Sequence, residues 1–197
     1  SLLAAQSLAT STNGPLLLVG AGVQGRSHLD AFADGLGVKE VWVASRTAQS
    51  AQLLVDYALA RGLKAKVVMD PDHAAPDCPL IVTCTPAQAV ILHSPLKAGQ
   101  FLAAVGAFTP RMVELSPALC KAAATVGRIV VDTLDACHEA GDLLQAGLEV
   151  SQFPTLADVV RESHEPKLSI HRRGPVLFKS CGWAGWDLAA ARLAFCA

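Results

Sequence analysis

Six residues, Gly20-Ala21-Gly22-Val23-Gln24-Gly25, fit the spacing G-x-G-x-x-G. They follow a continuous apolar run, Leu16–Val19, and open a segment with apolar positions at Leu29, Phe32 and Leu36. A strand, a glycine turn and a helix in that order can hold a pyrophosphate. The first glycine makes the tight turn, the second lets the backbone approach the phosphates, and the third lets the helix pack close to the sheet. The helix N-terminus then offers N–H groups to the anion. Read without a ligand, the same residues are a glycine-rich turn.

The next strand end bears on which dinucleotide would bind. An NAD site usually carries an acid about twenty residues further on, where it holds the ribose 2′-hydroxyl. Here that count reaches Ser45, with Arg46 and Thr47 behind it. Arg46 can pair with a 2′-phosphate and the two hydroxyls can donate to it, whereas an acid would repel it. The expectation is NADPH, with NADH the second choice. The plainer alternative is an exposed arginine beside a threonine helix cap.

Two further strand ends could reach a bound cofactor. Thr83, Cys84 and Thr85 precede Pro86, and Val105 and Gly106 precede Ala107. In an open parallel sheet, ligands lie outside the carboxyl ends of the strands. Gly106 suggests close backbone approach to the cofactor. Cys84 has no histidine or other base beside it, so it reads as a small buried residue rather than a nucleophile. Asp132, Asp135, Glu139 and Asp142 are acids near a sixth strand end, and the favoured reading is a solvated helix face. The six cysteines form no C-x-x-C pair and the six histidines no H-x-x-x-H pair, so no metal site is expected.

The elements that position these residues follow from hydrophobic periodicity. Strands are predicted at 16–19, 38–44, 66–69, 80–84, 101–105, 128–131 and 175–179, and helices at 2–8, 23–36, 47–60, 116–125 and 134–145. The stretch 151–174 reads as loop plus a short helix. Trp183, Trp186, Ala190 and Leu193 share a face of a closing helix, as core or interface. Strand and helix alternate without an internal repeat, which predicts an α/β, Rossmann-type, doubly wound and mostly parallel sheet with helices on both faces.

Composition fits that class. The chain has 197 residues, 52% of them hydrophobic and 17% charged. Such a balance excludes a disordered chain. A net charge of −1 gives no basic footprint for nucleic acid. Mean hydropathy is +0.38, yet no apolar run approaches the roughly 18 residues of a membrane span. The first nine residues lack the basic region of a signal peptide, and the cysteines read as free thiols in a reducing cytoplasm. The chain begins with Ser1 rather than Met, so it is expected to be a piece of something longer.

Six motifs occur in order: LVGAGVQG at 18–25, SRT at 45–47, VTCT at 82–85, VGAFTP at 105–110, EAGD at 139–142 and FKSCG at 178–182. Together they resemble the ornithine cyclodeaminase/mu-crystallin family, over nearly the whole chain and most closely its bacterial reductases of cyclic ketimine acids. The resemblance implies that Val23 and Gln24 touch the pyrophosphate and that Ser45, Arg46 and Thr47 surround the adenosine ribose. It implies that Thr85 and Val105 line the nicotinamide half, with Ser180 near the ring and Cys181 toward substrate. It further implies a small cyclic imino acid as substrate. An N-terminal substrate and dimerisation domain would lie outside this chain, with 1–11 and 181–197 packing toward it in a homodimer.

One departure matters. Where the cyclodeaminases carry an aspartate two residues past the glycine matching Gly106, this sequence has Phe108. Phenylalanine moves no protons, which disfavours cyclisation of ornithine with loss of ammonia. Reduction of a protonated C=N asks mainly for placement against a hydride donor. The alternatives are a non-catalytic NADPH-binding protein of the crystallin kind, an ornithine cyclodeaminase or alanine dehydrogenase of the same family, and a shikimate dehydrogenase. FKSCG at 178–182 argues against the last.

Overall fold

A computed structural model describes residues 1–86, 88–162 and 174–196. Its strands are β1 (Leu16–Val19), β2 (Glu40–Ala44), β3 (Lys64–Val67), β4 (Leu80–Thr83), β5 (Gln88–Leu92), β6 (Phe101–Ala104), β7 (Val113–Leu115), β8 (Arg128–Val131) and β9 (Val176–Lys179). Its helices are α1 (Leu2–Leu8), α2 (Val23–Leu36), α3 (Ala48–Ala60), α4 (Pro71–Ala74), α5 (Pro117–Val126), α6 (Ala136–Glu139), α7 (Gly141–Gln145), α8 (Leu156–Glu162) and α9 (Ala184–Cys196).

Seven strands form one sheet in the order β3-β2-β1-β4-β6-β9-β8, every neighbouring pair parallel. The chain runs outward from β1 to β3, then returns to place β4 against the other side of β1. The order therefore reverses between β1 and β4, which opens a crevice at their carboxyl ends. The Rossmann-type doubly wound sheet read from the sequence is the fold observed.

β1, β4, β6 and β9 are buried along their whole length, which is why they are continuous apolar runs rather than alternating ones. One core joins Leu16, Leu18, Val82 and Phe178 to Leu29 and Phe32 of α2 and Leu54 and Val55 of α3. The other joins Leu17, Ile81, Leu102 and Leu177 to Leu119 and Ala123 of α5 and Leu143 of α7. Helix α1 buries Ala4 and Ala5 in the first of these cores, while Leu3 on its other side is exposed. Within the 1–11 segment, this helix is seated on the sheet by its Ala4–Ala5 side.

Three elements, α4, β5 and β7, escape the periodicity reading. β5 and β7 pair in a small parallel sheet of their own. The helix expected at 134–145 is split into α6 and α7 at Ala140, whose ψ of 72° is not helical, and the glycine that follows packs close: a side chain at Gly141 would lie 2.1 Å from the Met112 carbonyl oxygen. Ser116 joins β5 to α5: it accepts from Leu119 N at 3.1 Å as helix cap and donates to the His93 carbonyl at 3.2 Å. Ser116→Ala is expected to destabilise the fold by about 1–2 kcal/mol, measured as a lowered urea midpoint with an unchanged slope.

Candidate active site

The crevice at the β1–β4 reversal is a cavity of about 500 Å³. Its walls bring together Gly20 and Gly22, Ser45, Arg46 and Thr47, and Cys84 and Thr85. Ser50, Met69 and Ile91 also line it; these were not read from the sequence, since an isolated serine, methionine or isoleucine carries no spacing signal.

The three glycines of the turn have three different reasons. Gly20 has φ +121° and a Cβ there would lie 2.6 Å from the Cys84 carbonyl oxygen. A Cβ on Gly25 would lie 2.1 Å from the Gly20 carbonyl oxygen, so α2 packs against the turn only without a side chain there. A Cβ on Gly22 would meet nothing within 4 Å. Gly22 is the N-cap of α2 and makes no side-chain cap, and the first helical hydrogen bond to it comes from Arg26 N. Open space above a glycine and helix amides without a cap suit a pyrophosphate. Val23 and Gln24 are exposed on the first turn of α2, outside the cavity wall.

Thr47 caps α3, accepting from Ser50 N at 3.2 Å and donating to Ser50 Oγ at 2.7 Å. The cap reading of Thr47 holds, and the same bonds draw a second hydroxyl to the rim. Arg46 is exposed and has no ion pair among the described residues. It is the one cation among the described residues that line the cavity.

Cys84 is buried, its Sγ 3.5 Å from the Gly20 carbonyl, and burial pushes its thiol up to about 12. It stays a protonated packing residue at neutral pH. Thr83 is wholly buried and its hydroxyl donates to Glu114 at 3.0 Å. Thr83 thus holds that carboxylate and does not reach the cavity. Gly106 is tight against protein: a Cβ there would meet the Thr85 carbonyl at 2.1 Å and Glu114 Oε1 at 2.4 Å. This packing by itself accounts for the absence of a side chain at Gly106.

Val105 and Ser180 stand at the carboxyl ends of β6 and β9, with Ser180 N donating to Ala104 O at 3.0 Å. Ser180 Oγ donates to Asp132 Oδ2 at 3.0 Å, and Cys181 N and Gly182 N donate to the same oxygen at 2.7 Å each. Asp142 accepts from Glu114 N at 2.6 Å and Leu115 N at 2.9 Å and lies 3.0 Å from Lys179 Nζ. Asp132 is 3% exposed and Asp142 1%, which corrects the expectation of a solvated acidic face. Asp135 alone of the four is fully at the surface. Glu114, Asp142 and Lys179 form a buried charged cluster that sequence reading missed, since a lone charged residue defaults to solvent. Phe108 is 53% exposed on the loop after β6.

Trp183 and Trp186 pack edge to face at 6.5 Å. No residue of α9 is buried, so this helix is not core. Residues 163–173 of the stretch read as loop plus a short helix lie outside the described residues. No helix among the described residues is long and apolar enough to cross a membrane.

The chain resembles known proteins along its length. A Δ1-pyrroline-2-carboxylate reductase of Burkholderia multivorans is 35% identical over 184 residues, covering 91% of this chain and 54% of the relative. The ketimine reductase mu-crystallin of Macropus fuliginosus is 31% identical over 197 residues, covering 99% and 59%. Among solved structures, an archaeal alanine dehydrogenase dimer with bound NAD superposes with a TM-score of 0.83 at 26% identity, over 97% of this chain and 59% of that one. The Thermococcus litoralis Δ1-pyrroline-2-carboxylate reductase, in complex with NADH and L-proline, superposes with a TM-score of 0.86 at 22% identity, over 98% and 61%. The chain therefore spans little more than half the length of the relatives it matches. The ornithine cyclodeaminase/mu-crystallin family model matches residues 1–195, and the chain belongs to that family.

Proposed function

We propose that this chain is the cofactor-holding part of an NADPH-dependent reductase that converts cyclic ketimine acids, Δ1-pyrroline-2-carboxylate and Δ1-piperideine-2-carboxylate, to L-proline and L-pipecolate. The observation that carries the reading is the crevice between β1 and β4, with open space over Gly22 and Arg46 at its rim. The substrate class is supported by relatives named for it at 35% and 33% identity.

Each part of the chain has a task. Gly20 and Gly22 with the first turn of α2 hold the pyrophosphate. Arg46, helped by Ser45, Thr47 and Ser50, holds the 2′-phosphate. Thr85, Val105 and Ser180 border the nicotinamide half. The cofactor supplies a hydride to the imine carbon when bound. The residues around it must hold the imine in a near-attack position and exclude water. That placement calls for a cation against the substrate carboxylate. Arg46 is taken by the phosphate and Lys179 is buried against Asp142; in this reading the anchor comes from the part of the relatives that this chain does not span. The same reading makes the protein a cytoplasmic homodimer, with the exposed face of α9 covered in the assembly.

Ornithine cyclodeamination is the second reading, favoured by the likeness to structures described as cyclodeaminases. Phe108 opposes it, because no proton passes through a phenyl ring. The test is to supply the protein with NADPH and a cyclic ketimine acid, and separately with ornithine. NADPH oxidation with the ketimine and negligible ammonia from ornithine are expected. Ammonia release at a comparable rate overturns the reductase reading, and NADPH binding without ketimine turnover favours a non-catalytic binding protein.

A further inference from the structure

We propose that Glu114, on β7, is a positioning residue for the nicotinamide half of the cofactor, because its one carboxylate ties together the turns that follow β4 and β6. The inference rests on the dinucleotide reading of the crevice.

The strand order fixes where each part of a dinucleotide must lie. In that reading Arg46 would hold the 2′-phosphate at the end of β2, and the glycine turn at the end of β1 would hold the pyrophosphate. β4 and β6 are the next strands in the same direction, each about 4.8 Å further on. The rest of a dinucleotide so held would cross the ends of β4 and β6.

At those ends the sheet ladder runs one residue past each strand and stops. Cys84 N still donates to Val19 O, and Val105 N to Thr83 O, both at 2.9 Å. The next amide on each strand turns to Glu114: Thr85 N reaches Oε1 and Gly106 N reaches Oε2, both at 2.7 Å. The hydroxyls of Thr85 and Thr83 fill the remaining lone pairs at 2.9 and 3.0 Å. Four donors thus meet one carboxylate that is wholly buried. Burial pushes its carboxyl up from the ordinary range, against the pull of Thr85, Lys179 and Gly106.

A carboxylate is the only side chain that accepts at both ends and donates at neither. Glutamine in its place turns an NH₂ group toward one of the two turns and releases it. Aspartate keeps the charge beside Lys179 but is one methylene too short to span both turns. Asp142 holds the clamp from behind through Glu114 N, so the carboxylate has little freedom to drift. A feature built only for stability does not require an ionised group, whose burial is costly. A rigid floor under two adjacent strand ends does, and in the dinucleotide reading the nicotinamide half would rest on that floor.

The experiment compares NADPH with adenosine 2′,5′-bisphosphate, which lacks the nicotinamide half, on the parent protein and on Glu114→Gln and Glu114→Asp. Thermal unfolding accompanies each titration. The expected result is a weakening of NADPH by about tenfold, the cost of one lost charge-assisted bond, with bisphosphate affinity unchanged within about twofold. Glutamine removes a buried charge rather than adding one, so the fold should hold; if it does not, Glu114→Asp supplies the same split. Equal weakening of both ligands, or unchanged NADPH affinity in a folded variant, overturns the positioning role. A parent protein that binds neither ligand overturns the dinucleotide reading, and this inference with it.

Discussion

Gly22→Val abolishes dinucleotide binding and leaves the fold intact: that is the expected result of the most severe test of the crevice. The three glycines of the turn separate cleanly on structural grounds. Gly20 sits at φ +121° under the Cys84 carbonyl, and Gly25 is pressed against the Gly20 carbonyl. Side chains at either position would distort β1 or lift α2 from the sheet, so loss of binding there would be uninformative. Gly22 is different. Its φ is −82°, which any residue adopts, and a Cβ there meets no protein atom within 4 Å. Nothing in the protein asks for glycine at this place. A pyrophosphate drawn up to the amides of α2 does, because an isopropyl group would stand where the phosphate oxygens must lie. NADPH affinity should fall by more than about a hundredfold, the loss of a phosphate site worth several charge-assisted bonds. Circular dichroism and the thermal midpoint should stay at the parent values. Retained binding would mean that the turn is architectural only.

The same contrast shows what a single sequence makes legible. The G-x-G-x-x-G turn could be placed because its neighbours are local: an apolar strand before it and a helical stripe after it. The four strands buried on both faces could be placed for the same reason, since burial of that kind writes itself as an uninterrupted run. The inner floor of the site could not. Glu114 lies in Val113-Glu114-Leu115, three residues too short to carry a periodicity, and a lone acid there defaults to water. Its partners are 29 and 8 residues away, at Thr85 and Gly106. Asp132 finds Gly182 across 50 residues and Asp142 finds Glu114 across 28. A buried ion is tolerable only when partners from distant segments converge on it, and no local pattern announces that convergence. Gly106 was legible as a close approach by its residue type, and atoms of Thr85 and Glu114 of the chain itself come close.

Arg46→Ala should remove most of the preference for NADPH over NADH while leaving NADH affinity nearly unchanged. The carboxyl end of β2 offers no acid at 45–47 to hold a ribose 2′-hydroxyl. What stands there is a guanidinium with no ion pair among the described residues, next to three hydroxyls on the cavity wall, Ser45, Thr47 and Ser50. A guanidinium–phosphate pair contributes about 1.5–3 kcal/mol, roughly ten- to a hundredfold in affinity. Arg46 is exposed, so water and salt screen the pair and the lower end of that range applies near physiological ionic strength. The preference of the parent protein should therefore shrink as salt is added, and that of the variant should not. Because Arg46 lies over β2 and the pyrophosphate turn over β1, truncating it leaves Gly22 and the amides of α2 undisturbed. The hydroxyls remain to meet a ribose, which is why NADH should bind the variant as it binds the parent. Titration of both cofactors against parent and variant at two salt concentrations decides the matter. Equal loss of NADPH and NADH would show that Arg46 supports the crevice as a whole, and the assignment of the 2′-phosphate to this strand end would fall.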